Sequence, residues 1–339
     1  MQESNIDWLS NNLPPFKEIE LRGEPDFYGI SHIIAAQIKR KLPPKSLATW
    51  FHGWLFPEEI ISPSQLIFYD GFFKTHLVAN QSQVESLKSF GINNAVAVGM
   101  PFIYLDKPKV TRKENSLLVM PPHSLPYTEY QWDQKTYAEE ISKLKVDFSI
   151  IVACVHSSCV EKGYWVKEFE NVGIPCITGA SINDRNALLR MQTIFSSFDY
   201  MTTNTLGSHI AYASYCGCKV SLFGKYQPFT KEDGKHDPYY IKNPEFLDLW
   251  VRLTGESYIR EQLPHLFVHP TEARPMIDWG SEMLGLQYKK SPTQIAKLLG
   301  WFYIDQLKYY CKFLINYFER PNVTQRVLKG IAKKLKRKE

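Results

Sequence analysis

The chain has 339 residues, 44% hydrophobic, 14% aromatic and 22% charged, a balance that supports about two globular domains and excludes a largely disordered polymer. The net charge of +5 is too small to argue for nucleic acid as a partner, and no apolar run is long enough for a membrane-spanning helix. Positive charge instead collects at one end, where Arg326, Lys329, Lys333, Lys334, Lys336, Arg337 and Lys338 have Glu339 as the only acid among them.

Taken in order, residues 17–21 (KEIEL) predict a first strand, and Ile33, Ile34, Ile38 and Leu42 fall at helical spacing over residues 30–42, which end at Pro43 and Pro44. A short buried strand over 47–51 runs into His52-Gly53-Trp54. Strands follow over 66–69, 77–79 and 95–98, with a helix over 81–90 stopped by Gly91. The polar stretch 106–115 reads as a linker. Beyond it come strands over 116–120, 148–154 and 175–178, helices over 137–144, 165–169 and 187–195, and the polar turn Ser181-Ile182-Asn183-Asp184-Arg185. A looped region over 225–269 contains a helix over 244–253, and the end is helical over 295–299 and 301–318, with a basic helix from Val323. Strands alternating with helices predict parallel sheets covered on both faces.

Cysteines 154, 159, 176, 216, 218 and 311 sit mostly in apolar runs without metal-ligand spacing, as reduced thiols do in a reducing compartment. The opening MQESNIDWLSNN has no basic stretch followed by an apolar core, so a cytoplasmic protein is expected. No Asp-x-Asp triplet, helical His pair, Gly-x-Ser-x-Gly elbow, Gly-x-Gly-x-x-Gly turn or phosphate-binding Lys loop is present, so neither a metal nor a bound cofactor is expected.

The segment DYMTTNTLGSHIAYASYCGCKVSLFG, from Asp199 to Gly224, reads as strand, polar turn, helix, turn and strand. Its Thr, Ser and Gly can cap the helix with a hydroxyl and aim backbone N–H groups outward, where a phosphate fits; an ordinary capped crossover is the other reading. This segment resembles the nucleotide-binding element in the C-terminal half of two-domain glycosyltransferases of the GT-B class. LVANQSQVESLKSFGINNAVAVGMP (Leu77 to Pro101) is similar to the close of their N-terminal half. The family's ribose-holding Glu is replaced by Tyr212, which cannot accept two hydroxyl protons as a carboxylate does. The resemblance implies an α/β fold of two Rossmann-like, doubly wound domains facing each other, over residues 1–108 and 109–290, with a helical tail over 291–339.

The resemblance further implies a base from the first half and a phosphate grip from the second. His52, after a buried strand and before Gly53, is the leading base candidate, and Asp70 the next; a hydrogen-bonded strand-end histidine and a turn-forming aspartate are the plainer readings. Trp50-Phe51-His52-Gly53 also resembles the Trp-His-Gly of glycerophosphate transferases that build teichoic-type polymers. For the nucleotide the candidates are His123, Ser124, Arg185, Thr205, Gly207, Ser208, His209 and Tyr212, with His156 and Asp184 also at strand ends, where doubly wound sheets bind ligands. His269-Pro270 is a short echo of the His-Pro pair of CMP-sugar transferases.

Together these imply a metal-independent glycosyltransferase of bacterial surface polysaccharide synthesis, with a nucleotide-sugar donor as substrate and a glycan or lipid-linked acceptor. The basic end would meet an anionic membrane surface from the cytoplasmic side, or else remain a solvated tail. Glycerol- or ribitol-phosphate transfer is the nearest alternative, and a catalytically silent polysaccharide-binding module the alternative from another class.

Overall fold

Three strands, β1 (Ala48–Trp50), β2 (Thr75–Val78) and β3 (Ala95–Ala97), lie side by side in that order and all parallel. Five more form a second parallel sheet: β4 (Lys113–Val119), β5 (Ile150–Val155), β6 (Cys176–Thr178), β7 (Phe198–Thr203) and β8 (Lys219–Leu222), in the order β6-β5-β4-β7-β8. The protein is thus mixed α/β with parallel sheets. The computed structural model describes residues 6–54, 60–67, 75–124 and 130–318, the last helix by its backbone alone beyond Cys311. Asp70, residues 68–69 of the strand expected over 66–69 and the basic end from residue 319 lie outside the described residues, and residues 66–67 are not in a strand.

Parallel strands need cover on both faces, and period-two alternation supplies it. In β4, Leu117 and Val119 join Ile151, Ala153, Tyr137, Trp165 and Phe169 on one face. Leu118 points the other way, into a larger core with Val152, Phe195, Met201, Ile210 and Val220. That larger core is continuous with Trp50, Val98, Met100 and Phe102 of the first sheet. Phe51, Leu66, Ile67, Val78 and Leu87 fill the first sheet's far side.

The strand expected over residues 17–21 does not join a sheet. Glu18 makes one antiparallel bridge to Asp184, and the Lys17 N–H donates to the Asp184 carboxylate at 2.9 Å. Its only apolar residues are Ile19 and Leu21, and Leu21 remains 36% exposed, so the segment has no face to bury. The linker is shorter than expected, because Lys113–Asn115 already belong to β4.

The first and last described segments cross between the sheets. On the five-stranded side, Trp8 packs on Phe198, and Arg190 and Asn186 donate to the Pro14 and Pro15 carbonyls at 3.1 and 2.9 Å. On the three-stranded side, the Leu284 carbonyl accepts from Met100 N–H and that of Leu299 from Leu47 N–H, at 2.9 and 2.8 Å. Trp301 Nε1–H donates to Ser46 Oγ at 3.0 Å. Gly285 makes this crossing possible, since at φ +70° a Cβ there would stand 2.1 Å from the Ala79 carbonyl oxygen. Among the described residues no helix is long and apolar enough to cross a membrane, and all six cysteines are free thiols, Cys311 exposed.

Candidate functional site

In the five-stranded sheet the chain runs outward through β4, β5 and β6, then returns to the other side of β4 with β7. The carboxyl ends of β4 and β7 therefore splay their following loops apart, and a crevice opens at such a point. A cavity of about 310 Å³ occupies it, and residues following strands of both sheets line it.

The three-stranded sheet contributes His52 and Gly53, which follow β1, together with Tyr28. Behind His52 lies Glu24, 1% exposed, with Oε1 3.7 Å from His52 Nδ1. Neither Glu24 carboxylate oxygen has a hydrogen-bond partner among the described residues. A buried carboxylate without hydrogen bonds is costly, and the neighbouring ring is the group that offsets it when charged. Sequence reading passed over Glu24 because a glutamate between Gly23 and Pro25 looks like a turn residue; only its burial sets it apart.

The five-stranded sheet contributes three histidines. His123 follows β4, and its Nδ1–H donates to the Ser124 carbonyl at 3.3 Å. His156 follows β5; its Nδ1 accepts from Ser158 N–H at 3.2 Å and lies 2.8 Å from Ser158 Oγ. His209 lies in the first turn of the helix Ser208–Tyr215 that follows β7, with Nε2 3.1 Å from Thr203 Oγ1. The His123 and His156 rings are 5.0 Å apart. Loss of hydration lowers the pKa of all three, and with His123 adding to the effect His156 and His209 fall to about 3, while His123 itself keeps an exposed edge. The three rings are therefore neutral at physiological pH, and among the described residues no group of three or more His, Cys, Asp or Glu is arranged to hold a metal ion.

The helix Ser208–Tyr215 is where the Asp199–Gly224 segment was expected to grip a phosphate. Gly217, at φ +87°, closes it: Gly217 and Cys218 N–H donate to the Ser214 and Ala213 carbonyls. Arg112 Nη2–H donates to the Cys216 carbonyl at 2.6 Å, a cation on the negative helix end. At the other end no hydroxyl cap forms. Gly207 is the N-cap and makes no side-chain bond, and Ile210 N–H already donates to the Gly207 carbonyl, which leaves the Ser208 and His209 amides without a side-chain cap beside the cavity that Gly207, Ser208 and His209 line.

Ser208 Oγ instead accepts the Trp54 N–H at 2.9 Å, and Tyr212 donates its hydroxyl to the His52 carbonyl at 3.1 Å while stacking on Phe102. Both thus tether the His52–Trp54 turn to the second sheet. Thr205 donates to the Gln227 carbonyl and lines a smaller cavity of about 90 Å³, which shares His123 and His209 with the first and is walled by Tyr130, Trp132, Phe229 and Trp250.

Other candidates lie off the cavity. Ser124 is buried, its N–H 3.1 Å from Cys159 Sγ and its hydroxyl donating to Ser158 Oγ. Arg185 lies in the Asp184 loop, its backbone N–H donating to the Lys17 carbonyl; it does not line either cavity. His269 bonds Thr271 Oγ1 and faces Asp147 at 3.9 Å. Compared with known proteins, the chain matches no protein-family model and no curated protein.

Proposed function

We propose that the protein is a metal-independent glycosyltransferase in which the two sheets form facing GT-B-like halves, moving a sugar from a nucleotide-sugar donor to a glycan or lipid-linked acceptor. The observation that carries this reading is the convergence of His52, three further histidines and the open N-terminus of the Ser208–Tyr215 helix on one cavity at strand ends of both sheets. On this reading the donor's phosphate lies at Gly207–His209, with the sugar and nucleoside in the two cavities that meet at His123 and His209. His52 takes the acceptor hydroxyl proton as that oxygen attacks the anomeric carbon, the nucleotide leaves with the bonding electrons, and Glu24 stabilises the imidazolium. A third cavity of about 180 Å³ supports an acceptor entry: it shares Gly53 with the first and is lined by Trp54, Asn80, Gln83, Glu282 and Tyr288.

Exposed apolar residues support a peripheral position on the inner face of the membrane. Tyr303, Ile304, Leu307 and Tyr310, 50–80% exposed, lie on the helix Tyr303–Phe318, and the basic end of the chain follows it in sequence. Sedimentation with anionic vesicles should be lost on removing residues 319–339; unchanged sedimentation would remove the membrane from the proposal.

Thermal denaturation with CMP, UDP, GDP and their sugar derivatives tests the donor site. A selective rise in Tm with one nucleotide is expected and names the donor class, whereas no response to any of them counts against transfer and leaves a polysaccharide-binding module.

A further inference from the structure

Among the described residues lining the two cavities that meet at His123 and His209, there is no lysine or arginine. A site for a phosphate ester normally brings standing cations. Here the groups able to become positive are imidazoles, and two of them have already committed their ring proton. His123 uses Nδ1–H on the Ser124 carbonyl. His209 pairs Nε2 with Thr203 Oγ1 at 3.1 Å, and in the tautomer that donates to that oxygen its ring proton is committed there.

The nitrogens left over, His123 Nε2 and His209 Nδ1, carry lone pairs in the neutral rings. His209 Nδ1 sits directly over the turn, 2.7 Å from where a Cβ on Gly207 would stand. A phosphate oxygen brought to the helix N-terminus would therefore meet a lone pair, a repulsive contact that a proton converts into a charge-assisted hydrogen bond.

Resting on the donor-site reading above, we propose that the His123/His209 pair takes up a proton as a phosphate-bearing ligand binds at Gly207–His209, so that the ligand's charge is met by an induced cation. The other groups facing the pair do not compete for that role. Tyr28 stands on the first-sheet side, Cys154 at the end of β5, Cys159 beneath Ser124, Tyr212 on the same helix as His209, and Tyr226 beneath Leu206; burial raises the pKa of each, so all are neutral. His156 shares the cluster with its Nδ1 engaged by Ser158, and Tyr130 belongs to the smaller cavity. His52 stands across the larger cavity with Glu24 behind it. At pH 7 and above the empty pair is neutral, since both rings sit below the ordinary 6.5, His209 through lost hydration and the neighbouring His123; a phosphate opposes that lowering.

Calorimetric titration of the full chain with UDP and CMP, at pH 8 in buffers of contrasting ionisation enthalpy, reads the proton directly, since the free ligands' phosphates are already ionised there. The expected result is net proton uptake on binding and an affinity that weakens from pH 7 to pH 8, by up to about tenfold where a full proton is taken up. His209→Gln, whose amide can still donate to Thr203 Oγ1, should bind more weakly and with far less uptake. Binding with no buffer-dependent heat overturns proton-coupled binding and leaves the donor site standing; absence of binding by either nucleotide at pH 6 and pH 8 overturns both. Sulfate, which does not titrate in this range, gives the same sign of uptake if the proton resides on the protein, and none if it resides on the nucleotide.

Discussion

The two sheets address one cavity with different chemistry. The five-stranded sheet brings an open helix end and three histidines held by neighbouring hydroxyl, amide and carbonyl groups, an arrangement suited to gripping an anion once a ring takes up a proton. The three-stranded sheet brings one histidine with a buried carboxylate 3.7 Å behind it, an arrangement suited to accepting a proton. Strand order explains the contrast. Reversal of direction beside β4 opens a crevice in the larger sheet, whereas the sequential β1-β2-β3 order has no such reversal and offers loop ends only.

If this division of labour holds, damage to each side should have its own signature. His52→Ala should lower the turnover number about 10²- to 10⁴-fold while nucleotide affinity stays unchanged; a loss confined to affinity would erase the distinction between the sides. Glu24→Gln should follow with about a 10- to 100-fold loss, again in turnover rather than donor affinity. A purely structural Glu24 would show itself as a lower urea midpoint at normal turnover.

Stability separates the sides further. Gly285→Ala forces a Cβ against the Ala79 carbonyl at φ +70° and should cost about 2–3 kcal/mol in urea unfolding. His156 and His209, pulled down to about 3 from an ordinary 6.5, are neutral in the fold but charge in the unfolded chain. The unfolded state thus binds more protons, so their contribution is full above about pH 6.5 and is lost as pH falls toward 3. Replacing both with Gln should flatten that acid slope, and an unaltered slope would assign acid loss to carboxylates instead. Smallest of all, Ser208→Ala should cost about 1 kcal/mol by leaving the Trp54 N–H without its acceptor, with nucleotide affinity unchanged; a marked affinity loss would return Ser208 to the ligand.

Much of the larger sheet was legible because β5 and the second half of β4, Leu117–Val119, are apolar runs bounded by turn residues, a signal that tertiary context reinforces. KEIEL misled because alternation with only two apolar residues resembles a half-buried strand, while its hydrogen bonds run to the Asp184 loop. Placing His123, His156 and His209 at strand ends needed only the local pattern. Their convergence needed the order β6-β5-β4-β7-β8, which local pattern does not encode. Ser208 and Tyr212 were found for the right segment and the wrong task, since turn chemistry cannot reveal that Trp54 and the His52 carbonyl arrive from 154 and 160 residues away to engage them.

The crossed segments carry a mechanical consequence. With residues 8–19 strapped to the larger sheet and residues 284–301 to the smaller, a protease cut within 106–112 would yield two fragments that stay clasped, each still gripping its counterpart by a strap. Any hinge-like opening has to pivot about three chain passages rather than one, which favours a rocking movement of small amplitude with ligands entering along the rim.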